Sequence, residues 1–247
     1  MRVGICGLGT VGSGLFKLFA SNSDEIARKI NPAPQLVQVG CRRDPPDCDL
    51  SAFNVTRDVF DVARSSDVDI LVELIGGVDA ARQLVLEAIA HGKHVVTANK
   101  ALIALHGDEV FKAAAAMSVS VRYEASIAGG IPIVKAIKEG LAGNHIEWLA
   151  GIINGTSNFI LSEMARGSSR SFDEVLKEAQ ELGYAEADPT FDVEGIDAAH
   201  KLTILASIAF GIPLNFPAIY TEGITKITST DIQLANELGY RIRHLGL

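Results

Sequence analysis

The sequence of 247 residues predicts an α/β fold, with a doubly wound parallel sheet in its first half and a second domain of α+β type. Three observations support this prediction. Short apolar segments alternate with amphipathic helical patterns, which is typical of parallel βαβ units. A glycine-rich turn directly follows the first apolar segment. After Glu124 the alternation ends, and a loop that contains glycine and proline separates the two halves.

Five strands and three helices are predicted in the first half. Each strand is short and mostly apolar, as expected for strands that helices cover on both faces. The predicted strands are 2–6, 36–40, 69–74, 94–97 and 119–123, and the predicted helices are about 11–20, 80–91 and 107–117.

The second half has a different pattern, and we place the domain boundary between residues 128 and 129. A chain of this length exceeds the usual size of one domain, so two domains, 1–128 and 129–247, are expected. The second is predicted to contain helices at 133–141, 157–166, 172–182 and 195–210 and a strand at 147–153. Residues 241–247 resemble a strand without a turn or polar tail after it, which predicts a chain that is incomplete at its C-terminus.

Composition limits the classes of partner. The formal net charge is −8, and no nucleic-acid partner is expected, because such proteins concentrate lysine and arginine on one face. The uncharged runs are shorter than the roughly 20 residues that span a bilayer, so no membrane partner is expected. Cys6, Cys41 and Cys48 lack metal-ligand spacing. With a strand at Arg2 that leaves no room for a signal peptide, these features predict a cytoplasmic protein acting on a small molecule.

The turn after the first strand matches the dinucleotide-binding pattern G-x-G-x-x-G at Gly7, Gly9 and Gly12. Its position between a strand and a helix is the context that this Rossmann-type fingerprint requires. Gly7 permits the tight turn, Gly9 allows a pyrophosphate to approach the backbone, and Gly12 permits close packing. The helix start at Thr10 and Val11 offers free N–H groups to the phosphates. A glycine-rich turn without a ligand is the alternative.

The end of the second strand bears on the choice of cofactor. An acidic residue there would bind the ribose 2′-hydroxyl of NAD, but Arg42 and Arg43 precede the first carboxylate, Asp44. NADP is therefore favoured, and Arg42 is assigned to the cofactor site. NAD remains an alternative because Asp44 could bind its ribose. The two arginines could instead form a solvated turn. Gly76, after the third predicted strand, is assigned to the cofactor site as well.

Residues 184–201 place five carboxylates before one lysine. Asp197 and Lys201 are four residues apart and therefore share a helical face, and the segment 202–210 carries no charge. A lysine at a dry helix start can have its proton affinity tuned, while carboxylates can receive a substrate ammonium group. A structural ion pair beside a solvated acidic loop explains the spacing equally well.

Five segments together resemble the homoserine dehydrogenase family. They are GLGTVG at 7–12, TANKAL at 97–102, EASIAGGIP at 124–132, NGTSN at 154–158 and the acidic block at 184–201. The resemblance runs along the whole chain with the segments in family order, so it is more specific than any one motif.

The resemblance implies a Rossmann-type domain, a second domain for catalysis and dimerisation, and reversible NAD(P)H-dependent reduction of L-aspartate 4-semialdehyde to L-homoserine. This reaction serves threonine and methionine biosynthesis. It implies that Lys201 is the proton donor and that Lys100 lies near the nicotinamide and the reacting oxygen. Glu186 and Asp197 match residues that hold the substrate, with Asp192 nearby, and Gly183 matches a cofactor contact.

The resemblance also implies a homodimer and a monovalent cation such as sodium. The residues that match the cation ligands are Glu124, Ile127, Gly129 and Ile131. On the sequence alone, a plain tight loop explains this segment without any ion. Two other functions stay open: another Rossmann-type amino-acid dehydrogenase, and a catalytically silent NADP-binding or dimerisation module.

Overall fold

The computed structural model describes residues 1–166 and 170–247. The chain divides into two compact units, Met1–Val134 and Lys135–Leu247. The division therefore falls slightly after the predicted boundary at 128/129. One reason is a contact within the first unit, where the backbone N–H of Val134 donates to the Glu124 carboxylate over 2.7 Å.

The first unit is built on a six-stranded sheet in which every pair of neighbours is parallel. Its strands are β1 (Arg2–Cys6), β2 (Gln35–Gly40), β3 (Asn54–Thr56), β4 (Ile70–Glu73), β5 (His94–Thr97) and β6 (Val121–Arg122). The spatial order is β3-β2-β1-β4-β5-β6. This order reverses direction at β1, as in a dinucleotide-binding sheet. The predicted α/β fold with a doubly wound parallel sheet is confirmed.

Five helices belong to the first unit: α1 (Thr10–Ser21), α2 (Ser23–Lys29), α3 (Val59–Arg64), α4 (Asp79–Ala90) and α5 (Lys100–Ala116). Helix α5 begins earlier than the predicted start at residue 107, because the Asn99 side chain accepts a hydrogen bond from the Leu102 N–H and caps it there. The sequence prediction missed α2, α3 and β3. Strand β3 has three residues and α2 buries none of its side chains, so neither produces a periodic apolar pattern.

The main core of the first unit lies between the sheet and helices α3, α4 and α5. Fully buried side chains from both layers meet there, among them Leu71 of β4, Leu84 of α4 and Leu102 of α5. Each such side chain contributes about 1.5–3 kcal/mol relative to exposure. The sheet is therefore a well-packed base from which the loops at its carboxyl-terminal edge extend.

The second unit is mainly helical in its described residues. A short helix, α6 (Ile133–Lys135), begins in the last two residues of the first unit and continues into a π-helix at Ala136–Gly140. The other helices are α7 (Gly155–Arg166), α8 (Phe172–Glu181), α9 (Thr190–Val193), α10 (Ile196–Phe210) and α11 (Ser229–Glu237). The side chains of α7 and α8 form a common core with Ile224 and Ile232.

The predicted strand at 147–153 is wrong. Within the described residues, this segment pairs only through one antiparallel bridge, from Gly151 to Gly246. A strand needs a neighbour along its whole length, and here the ladder stops after a single residue pair. Trp148 and Ile152 are consequently 73% and 55% exposed. The expected strand at 241–247 is reduced to the same bridge.

Among the described residues, no helix combines the length and the apolar character needed to cross a bilayer.

Candidate functional site

Two glycines of the turn after β1 are required by the fold itself. Gly7 has a φ of +98°, and a Cβ on it would lie 2.5 Å from the carbonyl oxygen of Leu74. A Cβ on Gly12 would lie 1.9 Å from the carbonyl oxygen of Gly7. Because both contacts are with backbone atoms, no side-chain movement could relieve them. These positions therefore allow only glycine while the turn keeps its shape.

Gly9 differs from its two neighbours in the pattern. A Cβ on Gly9 would meet no atom of the described chain within 4 Å. Gly9 also precedes α1, and no side chain in the described ranges caps this helix start. Val11, in the first turn, is 59% exposed. Free N–H groups, open space and an exposed apolar side chain fit a pyrophosphate and the groups attached to it.

This helix start faces a cavity of about 740 Å³ at the carboxyl-terminal edge of the sheet. The cavity opens beside β1, where the strand order reverses, which is the position at which doubly wound sheets bind ligands. Its volume lies in the range of small-molecule sites. Its lining comes from the turns after β1, β2, β3 and β4 and includes Gly7, Gly9, Arg42 and Gly76. The structure thus brings four of the eight predicted cofactor residues of the first unit together at this cavity.

Three arginines line one end of this cavity: Arg42, Arg43 and Arg57. Arg57 follows β3 and makes a bidentate ion pair with Asp44, with both N–O distances at 2.8 Å. The Arg57 guanidinium holds the pKa of Asp44 below its usual range. Asp44 is therefore engaged by an arginine. Sequence reasoning missed Arg57 because β3, the strand that precedes it, was not recognised.

Lys100 is the first residue of α5, at the same edge of the sheet and directly after β5. A cation at this end of a helix is opposed by the helix dipole. The preceding residue, Asn99, fixes the helix start through its cap and donates from its side-chain amide to the Gly77 carbonyl over 2.6 Å. The position of Lys100 therefore favours a role other than helix stabilisation.

The loop after β6 contains the four residues matched to a monovalent cation. Glu124 begins a 3₁₀ turn, and its carbonyl accepts a hydrogen bond from Ile127 over 3.3 Å. The carbonyl of Ile131 accepts one from Ile133 over 2.8 Å. Backbone carbonyl oxygens are ligands that a hard cation accepts. Gly129 is exposed, so its carbonyl has room to turn.

The second unit holds a compact polar cluster around Lys201 in α10. The Lys201 ammonium lies 2.8 Å from the Asp197 carboxylate and donates to the Ile153 carbonyl over 3.0 Å. The Asn154 amide donates to Asp197 over 2.9 Å and to Asp192 over 2.7 Å. Asn154 is itself fixed because its oxygen accepts a hydrogen bond from the Ser157 N–H over 2.7 Å. The lysine and both carboxylates are therefore held in a defined geometry.

This cluster forms part of the wall of a cavity of about 430 Å³. Thr156, Phe159 and Tyr184 complete the lining with a hydroxyl and two aromatic rings. The side chain of Asp197 is 6% exposed and that of Lys201 is 18% exposed, so this ion pair is only weakly screened by water. An ammonium donor beside two carboxylates can supply a proton and receive a cationic ligand.

Sequence reasoning did not assign Asn154 a role. Asn154 joins Asp192 to Asp197 across segments that are 38 and 43 residues away along the chain, and spacing carries no information at that distance. Two indications were available: its position before α7, because asparagine favours helix starts, and its place in the segment NGTSN that resembles the family.

Two other predicted residues lie outside this cavity. Glu186 is exposed, and its carbonyl accepts a hydrogen bond from the Gln180 side chain. Gly183 has a φ of +76° in the turn that ends α8, so the turn alone explains a glycine there. Their roles toward substrate and cofactor stay predictions. The described residues contain no cluster of three or more His, Cys, Asp or Glu able to hold a metal ion.

Two family models match the chain. The model described as "Homoserine dehydrogenase, NAD binding domain" matches residues 7–124, and the model described as "Homoserine dehydrogenase" matches residues 132–247. A homoserine dehydrogenase from Pseudomonas aeruginosa is 62% identical over the whole chain. The chain spans 57% of the length of that relative.

Solved structures give the same result. The crystal structure of a homoserine dehydrogenase from Thiobacillus denitrificans has a TM-score of 0.91 and 56% identity, and the match covers 99% of this chain and 57% of that one. A protein from Archaeoglobus fulgidus, described as a provisional homoserine dehydrogenase, has a TM-score of 0.89 and 36% identity. That match covers 99% of this chain and 79% of the other.

Proposed function

This chain belongs to the homoserine dehydrogenase family, and from that premise we propose that it carries out reversible NAD(P)H-dependent reduction of L-aspartate 4-semialdehyde to L-homoserine. The observation that carries the proposal is the Lys201 ammonium. It is held by Asp197 and the Ile153 carbonyl at the wall of an open cavity. A proton donor fixed in this way is what an alkoxide product requires.

The residues of the first unit would bind and orient the cofactor. Gly9 leaves the space for a pyrophosphate, and the start of α1 offers N–H groups and a positive dipole end to it. When bound, the reduced nicotinamide supplies the hydride. Lys100 stands at the same sheet edge and would stabilise negative charge on the reacting oxygen.

The residues of the second unit would bind the substrate and move the proton. Asp197, Asp192 and Glu186 are acceptors for the substrate ammonium group. Hydride addition to the aldehyde carbon leaves an alkoxide, which takes a proton from the Lys201 Nζ. Asn154 keeps Asp197 and Asp192 in place by donating to both, and Gly183 remains a proposed cofactor contact.

We also propose a preference for NADP over NAD. Arg42, Arg43 and Arg57 line the cavity, while the acidic residue that could bind the ribose of NAD, Asp44, is neutralised by Arg57. Arginine is well suited to bind a 2′-phosphate. We expect Arg42→Ala to lower kcat/KM with NADPH at least tenfold and to leave kcat/KM with NADH nearly unchanged. An equal loss with both cofactors would contradict this preference.

The loop of Glu124, Ile127, Gly129 and Ile131 is proposed to bind a monovalent cation such as sodium. Its backbone carbonyls are hard oxygen ligands of the kind that such an ion takes. Replacing sodium by choline in the buffer is expected to lower the melting temperature, with recovery when sodium is restored. Identical melting curves in both salts would remove the cation from the proposal.

A homodimer formed through the second unit is proposed as well. Leu141, Trp148 and Ile152 expose 44%, 73% and 55% of their surface, and exposed apolar side chains grouped along one segment are typical of interaction surfaces. Trp148→Lys is expected to shift the mass measured by light scattering from dimer to monomer. A wild-type protein that is monomeric at micromolar concentration would contradict the proposal.

The central test uses two variants of Lys201, because removing one partner of a buried pair can destabilise the protein. Lys201→Ala removes the proton donor, whereas Lys201→Arg keeps a cation beside Asp197 with a pKa too high for proton donation. Both are expected to lower kcat for aspartate semialdehyde about a hundredfold or more, with affinity for NADPH little changed. Lys177→Ala, at an exposed position of α8, is the matched control and should retain activity.

Three results would contradict the proposal. Equal turnover by wild type and both Lys201 variants would contradict the role of Lys201 as the proton donor. NADPH binding by the wild type without turnover would favour a silent binding module. Oxidation of aspartate rather than homoserine would favour another amino-acid dehydrogenase.

A further inference from the structure

We propose that Glu73 is a positioning residue that fixes the loop carrying Gly76 relative to the helix start carrying Lys100. Glu73 is the last residue of β4 and is fully buried. The inference rests on the proposed function, because Gly76 and Lys100 are the residues through which the cofactor and the reacting oxygen would be held.

The two oxygens of the Glu73 carboxylate reach two different segments. One oxygen accepts a hydrogen bond from the Ile75 N–H over 3.0 Å, in the loop that follows β4. The other accepts one from the Thr97 hydroxyl over 2.6 Å, at the end of β5. A single side chain thus ties together the two adjacent loops that leave this edge of the sheet.

The connection continues to Lys100 through Asn99. The Thr97 hydroxyl accepts a hydrogen bond from the Asn99 N–H over 2.9 Å. The Asn99 side chain then donates to the Gly77 carbonyl and caps α5 by accepting from Leu102. Hydrogen bonds therefore connect Glu73 through Thr97 to Asn99, the residue before Lys100. A further hydrogen bond connects Asn99 to Gly77 in the loop after β4.

A buried carboxylate is an energetically unfavourable group with which to connect two loops. Burial raises the pKa of Glu73, against the opposing effect of the hydrogen bonds from Thr97 and the loop backbone. Within the described ranges, Glu73 makes no ion pair that would offset this cost. The Ile75 N–H and the Thr97 hydroxyl donate to its two oxygens, and a carboxylate accepts from both. The need for a fixed loop geometry accounts for a charge that stability alone would not favour.

The loop itself needs such an anchor. Gly76 and Gly77 have φ values of +72° and +71°, and a Cβ on either would meet no described atom within 4 Å. Packing therefore does not hold these two residues, and glycine restricts its own backbone least of all residues. The hydrogen bonds from Glu73 and Asn99 supply the order that packing does not.

The test combines turnover with amide hydrogen exchange in the 247-residue chain. Glu73→Gln keeps the shape but replaces one acceptor oxygen with a donor, and Thr97→Val removes the hydroxyl. Each is expected to lower kcat about tenfold, the scale of one lost hydrogen bond to a charged group, with KM for the semialdehyde little changed. Exchange should rise about tenfold at residues 75–77 and 99–103 and stay unchanged at 9–13.

Conservative and distant variants separate positioning from general destabilisation. Thr97→Ser keeps the hydroxyl and should restore wild-type kcat and exchange. Gln38→Met removes a buried polar side chain from β2, which β1 separates from β4, and should leave exchange at 75–77 unchanged. Double substitution at Glu73 and Thr97 should cost little more than either single change, because both break the same connection.

The outcomes distinguish this inference from the proposed function. A wild-type chain without turnover overturns the proposed function. Turnover in the wild type with full kcat in Glu73→Gln and Thr97→Val overturns the role of Glu73 alone. Unchanged exchange at 75–77 in both variants also overturns that role, whether or not the chain turns over.

Discussion

Two carboxylates lie at opposite ends of β4 and differ in their exposure to water and in the direction of their pKa shifts. Asp69 immediately precedes the strand, is partly exposed and pairs with Arg2, whose guanidinium lies 2.8 Å away and whose backbone N–H donates over 2.7 Å. These contacts lower the pKa of Asp69 to about 2. Glu73 ends the same strand, is buried and has a raised pKa because burial disfavours its charge.

The contrast between Asp69 and Glu73 indicates that the two ends of β4 have different roles. At the amino-terminal end of β4, Asp69 and Arg2 satisfy each other in contact with water. At the carboxyl-terminal edge, a buried charge, left-handed glycines and an uncapped helix leave hydrogen-bonding groups and space to a ligand. Substitutions should therefore affect stability at the first edge and function at the second, except where a glycine is needed for the turn itself.

The largest effect is expected at the second edge, from Gly12→Ala compared with Gly9→Ala. The new Cβ of Gly12→Ala would overlap the Gly7 carbonyl, so we expect a loss of about 3 kcal/mol or more in the free energy of unfolding. Gly9→Ala meets open space and should cost about 1 kcal/mol or less as a changed helix cap. Its affinity for NADPH should nevertheless fall at least tenfold, because the Cβ takes space that a pyrophosphate would use.

Urea unfolding and NADPH fluorescence titration measure the two effects. Wild-type affinity for NADPH in Gly9→Ala would contradict this prediction, because the open space at Gly9 would then not be used by the cofactor. Gly14→Ala is the control for both measurements. It lies further along α1, and its added Cβ meets no described atom within 4 Å.

The second prediction concerns the pH dependence of stability, which should have opposite signs at the two ends of β4. Asp69 has a lowered pKa, so its contribution is present above pH 3.8 and is lost as the pH falls toward about 2. Glu73 has a raised pKa, so the folded state is favoured below its ordinary pKa of 4.5 and loses stability as the pH rises through the folded value. Cys6 on β1, whose own pKa is raised by burial and by Glu73, stays neutral throughout this range.

Urea unfolding from pH 3 to pH 7 provides the measurement. The stability of the wild type relative to Glu73→Gln should decrease as the pH rises, and its stability relative to Asp69→Asn should increase. Slopes of equal sign would mean that the two carboxylates do not differ as described.

The same contrast explains what the sequence could predict. The candidate cofactor site in the first unit depends on backbone and topology, so the alternation of strands and helices and the pattern of Gly7, Gly9 and Gly12 were enough to predict it. Arg57 was missed because its strand is only three residues long. Glu73 was missed because an acidic residue in an apolar segment indicates neither its partner nor its burial.

The second unit was less predictable because its site depends on contacts between distant segments. Asp197 and Lys201 could be paired from their spacing, since they are one helical turn apart. Asn154, which joins Asp192 to that pair, lies outside any spacing rule. The strand predicted at 147–153 failed for a related reason, because a run of apolar residues shows that a segment can pair and not whether a neighbour is present.

The smallest effect is expected from Asp69→Asn at neutral pH. The substitution removes the ion pair with Arg2 but keeps an oxygen that can accept from the Arg2 N–H, and the pair is exposed to water. The melting temperature should fall by about 2 °C or less, with kcat and the affinity for NADPH unchanged. Asp67→Asn, which alters a more exposed contact of the same arginine, is the matched control and should change less still. A tenfold loss of turnover in Asp69→Asn would show that the two edges of the sheet are coupled, and the separation of stability from function along β4 would then fail.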